Sequence, residues 1–497
     1  MKVALISSWY DAYGEAKYGD RLGILYLAGY LEQNGVEVEV VDALWDNLSP
    51  QELEKVIIKS KPNLVGVSCY VGSRFEDFKV VQLVKKINPA IITVMGGPQA
   101  TATAEDTLTH LPELDFIILG EGEVTLLELC RTIEKKARNF EDIQGIAYLK
   151  NKIFVQNPHR EFIPDLDSLP LPARHLHPKY KSLDPARMFY VDNSVGIYNE
   201  KFSTVQVMAS RGCPYNCWFC STTQFWRNRT RFRSVNNVMQ ELESLKRLYN
   251  VSAINFADDT FNINPSFLFS LCEAMIEKKL GFKWQCNFRA NESATKDILI
   301  KMKEAGCTGI RMGVESGSPR ILKQVKGITK EQVRKIVNWC EEIGLGRRLN
   351  FIINFPGETI QEAKQTVGFA KEFGEPYLVN PLVIYPGTYV EAVAKKNGCL
   401  PEGFSWADPK PNLKYVLPGR ITDIPMFVDS IPFRQVTDLI FRIESERKVF
   451  FSISKRIKEV FRSIHSVADL MKVFSAANFI YLLTYFKFRL FRLLRKK

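Results

Sequence analysis

The chain has 497 residues, of which 46% are hydrophobic and 25% charged. That length suits about three domains with large cores and excludes a disordered or collagenous chain. Ten cysteines in 497 residues are too sparse for a disulfide scaffold, and no secretory signal follows Met1, so a reducing, cytoplasmic compartment is expected. The net charge is +12, but residues 447–497 carry thirteen Lys and Arg against Glu459 and Asp469, leaving +1 for residues 1–446. A nearly neutral body with a basic tail argues against a nucleic-acid enzyme with a broad basic groove. It points instead to local contact with an anionic surface.

Residues 1–145 alternate short β-branched runs (3–8, 36–42, 64–69, 91–97 and 116–120) with amphipathic stretches such as 21–33, 51–60 and 123–136. Apolar strands separated by helices predict a parallel sheet covered on both faces, here a flavodoxin-like, doubly wound α/β domain. Ligands of such sheets sit beyond the carboxyl ends of the strands. Three of those ends are rich in small residues: Gly66-Val67-Ser68-Cys69, Gly96-Gly97-Pro98-Gln99-Ala100-Thr101 and Gly120-Glu121-Gly122-Glu123. Three such loops on one edge suit a broad, flat cofactor, because glycine lets backbone approach a bulky ligand.

These loops, together with Leu22-Gly23-Ile24-Leu25-Tyr26-Leu27-Ala28, resemble the cobalamin-binding domain of the radical S-adenosylmethionine superfamily. The resemblance implies cobalamin contacts at Ser68, Gly96, Gly97, Pro98, Gly120, Glu121 and Gly122. It departs at Gln99, where relatives commonly have histidine. The Asp-x-His-x-x-Gly loop of other cobalamin enzymes is absent from residues 1–145, whose one histidine is His110. A lower axial site without a protein histidine is therefore expected.

Residues 146–203, rich in Pro, Asp and Asn, are predicted to be a linker. Next comes Cys213-Pro214-Tyr215-Asn216-Cys217-Trp218-Phe219-Cys220, after a strand pattern at 204–209. Structural zinc normally requires a fourth Cys or His nearby. The next cysteine is Cys272, and no histidine lies between His177 and His465. Three thiolates without a local fourth fit a 4Fe–4S cluster with one open iron. The Cys-x3-Cys-x2-Cys spacing is that of the radical S-adenosylmethionine family. The resemblance implies that the open iron chelates S-adenosylmethionine, whose reductive cleavage gives a 5′-deoxyadenosyl radical, and that Phe219 contacts its adenine.

Strand and helix patterns then alternate over 204–390, matching a partial TIM-like (β/α)6 barrel with its chemistry at the carboxyl ends of the strands. Asp258-Asp259-Thr260, Arg289 and Asn291, Glu315-Ser316-Gly317, Asn354 to Thr359, and Pro386-Gly387-Thr388 fall at those ends. The resemblance carries Glu315 and Ser316 over as contacts to S-adenosylmethionine, with Asp258 and Asp259 as further candidates. Relatives often have glycine at the position of Asn354. No residue stands out as a general base; Tyr385 reads as a packed aromatic.

Residues 391–446 are predicted to be an irregular cover over the barrel mouth, and 447–497 a basic amphipathic helical tail. The longest uncharged run in the tail, 473–486, has 14 residues, short of the ~20 a membrane span needs. Aromatic residues interleaved with Lys and Arg suit peripheral contact with anionic lipid. The expected protein is thus a cobalamin-dependent radical S-adenosylmethionine enzyme of the class B methyltransferase type. It would take an external electron donor such as flavodoxin or ferredoxin and a small-molecule or lipid-like substrate. The methyl group would go to an unactivated carbon or phosphorus. Two alternatives are a radical cyclase or oxidative rearrangement enzyme with the same cofactors, and a cobalamin-binding sensor or carrier.

Overall fold

The computed structural model describes residues 1–9, 21–137, 139–182, 189–190, 202–249, 251–408 and 424–446. The tail at 447–497, with its expected membrane contact, lies outside the described residues. Among the described residues no helix is long and apolar enough to cross a membrane.

The first sheet contains β1 (Lys2–Ser7), β2 (Glu37–Asp42), β3 (Leu64–Ser68), β4 (Ile92–Gly96), β5 (Phe116–Ile118), β6 (Ile146–Lys150) and β7 (Ile153–Gln156). The strand order is β2-β1-β3-β4-β5-β6-β7. The first five strands pair parallel, in the flavodoxin-like order with its switch point between β1 and β3. Their alternation of buried sides produces two apolar layers. Ala4, Ile6, Val65, Val67, Met95 and Ile117 face one layer; Val3, Leu5, Val40, Leu64, Val94 and Ile118 face the other.

β6 and β7 correct the linker expected from 146 onward. They form an antiparallel hairpin that extends the sheet at β5. The Pro-rich stretch after it is not a loose spacer either. Ala173 N–H donates to Leu25 O (3.0 Å), and a Cβ on Gly29 would meet Leu171 O at 2.9 Å. This stretch therefore lies directly on the helix Leu22–Gln33.

The second sheet contains β8 (Phe189–Tyr190), β9 (Phe202–Val207), β12 (Ala253–Phe256), β13 (Lys283–Phe288), β14 (Cys307–Glu315), β15 (Gly346–Ile353) and β16 (Tyr377–Pro381), in the order β16-β15-β14-β13-β12-β9-β8. β9 and β12 to β16 pair parallel in chain order, as a six-stranded open barrel. A separate antiparallel pair, β10 (Ser210–Gly212) and β11 (Thr230–Phe232), follows β9. Alternate side chains such as Ile254, Phe256, Cys286, Phe288, Ile310 and Met312 are buried in one large core. The intervening Asn255, Asn287 and Arg311 are only half-buried, which is the pattern of a lumen-facing row.

The segment expected to be an irregular cover is partly regular. It ends in the helix Phe433–Glu446. Just before that helix, Met426 forms an antiparallel bridge with Val383; Phe427 N–H donates to Leu382 O (2.9 Å) and Ile384 N–H to Pro425 O (2.8 Å). The free edge beyond β16 is thereby covered, which removes an exposed strand edge.

Candidate active site

The helix Pro98–Ala102 after β4 packs against the helix Ser221–Trp226 after Cys220. The two edges expected to carry the chemistry therefore meet.

The hairpin β10–β11 opens and closes the cysteine loop. Gly212 at its end has φ +96, and a Cβ there would lie 2.0 Å from Arg229 O. Only glycine fits this rung. From it the chain turns through Cys213, Cys217 and Cys220, with Cys220 N–H donating to Cys217 O (2.8 Å). All three thiols are free, and Cys217 is buried. Barrel residues turn polar atoms onto the sulfurs: Arg289 Nη1 donates to Cys217 Sγ (3.6 Å), and Thr260 Oγ1 lies 3.6 Å from Cys213 Sγ. The Arg289 guanidinium also stacks 3.7 Å from the ring centre of Tyr215. Burial pushes the Cys220 thiol above its ordinary range, against hydrogen bonding at Thr222; metal coordination would hold such a sulfur as thiolate. The donor set is three soft ligands on one short loop, with polar groups on the sulfurs. It fits a cubane cluster with three protein ligands.

Asp258 serves this loop from beneath. It is 1% exposed, and its two carboxylate oxygens accept from Ser210 Oγ (2.5 Å) and Ala209 N–H (3.1 Å). Burial pushes its carboxyl up to about 6. Both oxygens of Asp258, an expected contact of S-adenosylmethionine, thus anchor β10. Asp259 is exposed and accepts from Thr222 Oγ1 (3.3 Å), one residue before Thr223 in the helix after Cys220.

Glu315 closes β14 in the left-handed region, at φ +73, an uncommon conformation for a residue with a side chain. Its carboxylate pairs with Lys326 Nζ (3.2 Å), and the Lys326 carbonyl accepts from Arg289 Nη2. Glu315 is thereby connected through Lys326 and Arg289 to Cys217. Ser316 takes another course. It is fully buried, its hydroxyl pairs with Thr366 Oγ1 (3.1 Å) and accepts from Ser318 N–H (3.1 Å). The hydroxyl of this expected S-adenosylmethionine contact thus holds the turn. The backbone there is close-packed: a Cβ on Gly317 would meet Gln365 O at 2.6 Å.

Phe219 packs edge-on against Phe355 (5.5 Å) and Trp218 (6.2 Å), in a cluster that Val71 of the first domain joins. It thus belongs to an apolar wall beside Cys220. Asn354 also has a left-handed backbone, φ +74, which asparagine tolerates better than most residues. Its Nδ2 donates to Phe427 O (2.5 Å), so it ties the covering segment to the barrel. Glu358 accepts from the N–H groups of Asn354 and Phe355, the latter at 2.9 Å. Tyr385 caps a turn through its carbonyl, which accepts from Thr388 Oγ1 (2.7 Å).

The carboxyl edge of the first sheet forms a half-exposed shelf of small residues: Ser68, Gly96, Gly97, Pro98 and Gly120. Gly97 has φ +98, and a Cβ there would meet Cys69 O at 2.8 Å. Gly120 N–H donates to Thr101 Oγ1 (3.1 Å), joining two of the loops. A shelf with exposed backbone and no bulky side chain fits a flat macrocycle such as cobalamin. The side chain of Glu121, an expected cobalamin contact, turns away from the shelf toward two arginines. Glu121 is about 5% exposed at its side chain and lies between Arg211 (2.7 Å) and Arg231 (2.7 Å). It also accepts from Ile163 N–H (2.8 Å). Glu123 takes the other Arg211 nitrogen at 2.7 Å.

The sequence left unnoticed the lumen network in which Arg311 donates to Asn287 Oδ1 (3.2 Å) and to Asn255. A period-two reading of β12 to β14 marks these polar residues as the face opposite the core.

Comparison with known proteins agrees with this architecture. The B12 binding domain model matches residues 16–130, and the Radical SAM superfamily model matches residues 207–370. An uncharacterized methyltransferase of Pyrococcus horikoshii is 32% identical over 412 residues, covering 82% of this chain and 86% of the relative. The chain belongs to the cobalamin-binding radical S-adenosylmethionine enzymes. Its cofactors are those of that family: a 4Fe–4S cluster, S-adenosylmethionine and cobalamin. The anaerobic magnesium-protoporphyrin IX monomethyl ester cyclase of Rubrivivax gelatinosus is 29% identical, over 69% of this chain and 60% of that protein. Among solved structures, the cobalamin-dependent S-adenosylmethionine radical enzyme OxsB has the same fold. It superposes with a TM-score of 0.69 at 19% identity, covering 98% of this chain and 72% of OxsB.

Proposed function

We propose that this radical S-adenosylmethionine enzyme methylates an unactivated carbon or phosphorus centre of a small or lipid-like molecule. The observation that carries the reading is the meeting of two edges: a three-cysteine loop on the barrel and a small-residue shelf on the first domain. When bound, the cofactors supply a 5′-deoxyadenosyl radical and a transferable methyl group.

The chain's own residues bind and orient. Cys213, Cys217 and Cys220 would hold the cluster, with Arg289 and Thr260 on two of the sulfurs. Asp258 fixes the base of the loop through Ser210 and Ala209. The rings of Phe219, Phe355 and Trp218 line one side of the loop at Cys220, and Phe219 would cover the adenine. Glu315, held by Lys326, and Asp259 would take polar groups of S-adenosylmethionine. Ser68, Gly96, Gly97, Pro98, Gly120 and Gly122 would lie along the cobalamin. An external donor of the flavodoxin or ferredoxin class would reduce the cluster.

A second reading is ring closure or oxidative rearrangement with the same cofactors; the likeness to the Rubrivivax gelatinosus cyclase favours it. Assay with methyl-labelled S-adenosylmethionine separates the two. Label in the product, with both S-adenosylhomocysteine and 5′-deoxyadenosine formed, supports methylation. A modified product without label refutes it. Contact of the basic tail with anionic lipid is a separate part of the proposal. Flotation with anionic vesicles tests it, and equal flotation by a chain ending at Glu446 would refute it.

A further inference from the structure

Arg211 and Arg231 are directly opposite one another on the antiparallel pair β10–β11. Everything between them, including the three cysteines, leaves from and returns to that rung. The rung is gripped from the other domain. Glu121 accepts from both arginines and Glu123 from Arg211, at 2.7 Å in each case. The four side chains are nearly buried, with 5–6% exposure for Glu121, Glu123 and Arg211 and 12% for Arg231. The Tyr26 ring lies 4.9 Å from the Arg211 guanidinium, closing the pocket from the helix Leu22–Gln33. Two carboxylates against two guanidinia balance in charge, so the group is stable only when all members are present. Removing one leaves an uncompensated buried charge.

The connections out of this group are short. Glu121 is flanked by Gly120 and Gly122 on the cobalamin-side shelf, and Arg211 is two residues from Cys213. A shift of the shelf loop therefore moves the rung, and a shift of the rung moves the first cysteine. Arg211 bridges the two carboxylates, one nitrogen to each, and buried ion pairs of this kind hold position better than they add stability.

We infer that the Glu121–Arg211–Glu123 group, with Arg231, is a positioning device that links cobalamin binding to the state of the cysteine loop. This rests on the reading of the Gly120–Gly122 loop as part of the cobalamin shelf. Linkage is reciprocal: if an ordered cysteine loop tightens cobalamin binding, cobalamin must stabilise the loaded loop by the same factor.

The test is titration of the full-length protein with hydroxocobalamin, followed by its visible spectrum, with and without the reconstituted cluster. In the wild-type chain the cluster should tighten cobalamin binding by at least about fivefold, the lower end of ordinary coupling. In Glu123→Gln that ratio should fall to within about twofold of unity, while cluster iron content and folded-state circular dichroism remain. Glu121→Gln, which keeps an acceptor for Ile163, provides the same readout should Glu123→Gln fold poorly. Glu134→Gln, an exposed glutamate of the same helix, should keep the wild-type ratio. A ratio of one in the wild-type chain, or an unchanged ratio in both clasp variants, overturns the linkage alone. No cobalamin binding by the wild-type chain overturns the functional reading as well.

Discussion

Replacing Gly212 by alanine perturbs the cysteine loop with a single methyl group. The left-handed φ of +96 costs an L-residue about 1–2 kcal/mol. The new Cβ would lie 2.0 Å from Arg229 O, so the backbone on one side must give way by roughly 1.5 Å to reach ordinary contact. Backbone surrounds this point on both sides, because Gly212 is paired with Thr230 on the same rung. A flexible side chain cannot absorb the shift. The total falls near 3 kcal/mol or more, the range in which strained backbone positions are abandoned. The structure gives way most readily at the rung, since the barrel beneath is packed. Gly212→Ala should therefore keep the folded-state circular dichroism while losing most of its reconstituted iron and sulfide and the broad visible absorption of the cluster. Iron and sulfide analysis after anaerobic reconstitution measures this. A variant with wild-type cluster content would refute the argument that the rung determines the loop.

Two further outcomes follow from buried groups outside the cluster loop. Asp77, on the helix Arg74–Ile87 and 1% exposed, has its carboxyl pushed up to about 7 by burial, against hydrogen bonds from Ser73 and Ser8. Between pH 4 and 7 the native state therefore holds a proton that the unfolded chain has lost, and stability falls as pH rises, by roughly 1.4 kcal/mol per unit at the steepest. Asp77→Asn should flatten this slope in urea melts between pH 5 and 7.5, and parallel pH profiles for the two proteins would contradict it. Trp406 joins both domains: its carbonyl accepts from Arg74 Nε (2.8 Å), its Nε1 donates to Glu391 (2.7 Å), and its N–H donates to Asp106 (2.7 Å). Trp406→Ala keeps the two backbone bonds but removes the buried ring and its bond to Glu391, and should cost about 3–5 kcal/mol in urea melts; a loss below about 1 kcal/mol would show that the ring is incidental.

Strand and helix periodicity carried most of the fold. The apolar runs of β1 to β5 are long enough, and bounded clearly enough by glycine and polar helices, to give the number of strands and their parallel pairing. The hairpin β6–β7 was hidden because its strands, Ile146–Lys150 and Ile153–Gln156, are short and run into a proline-rich stretch. The cysteine loop was legible from spacing, since cluster ligation requires neighbouring thiols. The roles of Glu121, Asp258 and Ser316 were not. Their partners lie 90, 48 and 50 residues away, and no local pattern distinguishes a carboxylate turned toward a ligand from one turned toward a buried arginine. The inward row of Asn255, Asn287 and Arg311 lay between these cases: the alternation was present, but polar residues in a strand read as solvent-facing until the barrel encloses them.

Electron paramagnetic resonance of the anaerobically reconstituted, dithionite-reduced protein, before and after addition of S-adenosylmethionine, tests the central claim most directly. The account predicts a reduced 4Fe–4S signal whose g-values shift on addition, because one iron is left for the sulfonium substrate, and loss of that signal in the triple variant Cys213→Ala, Cys217→Ala, Cys220→Ala. A cluster signal indifferent to S-adenosylmethionine, or one that survives the triple variant, would contradict it.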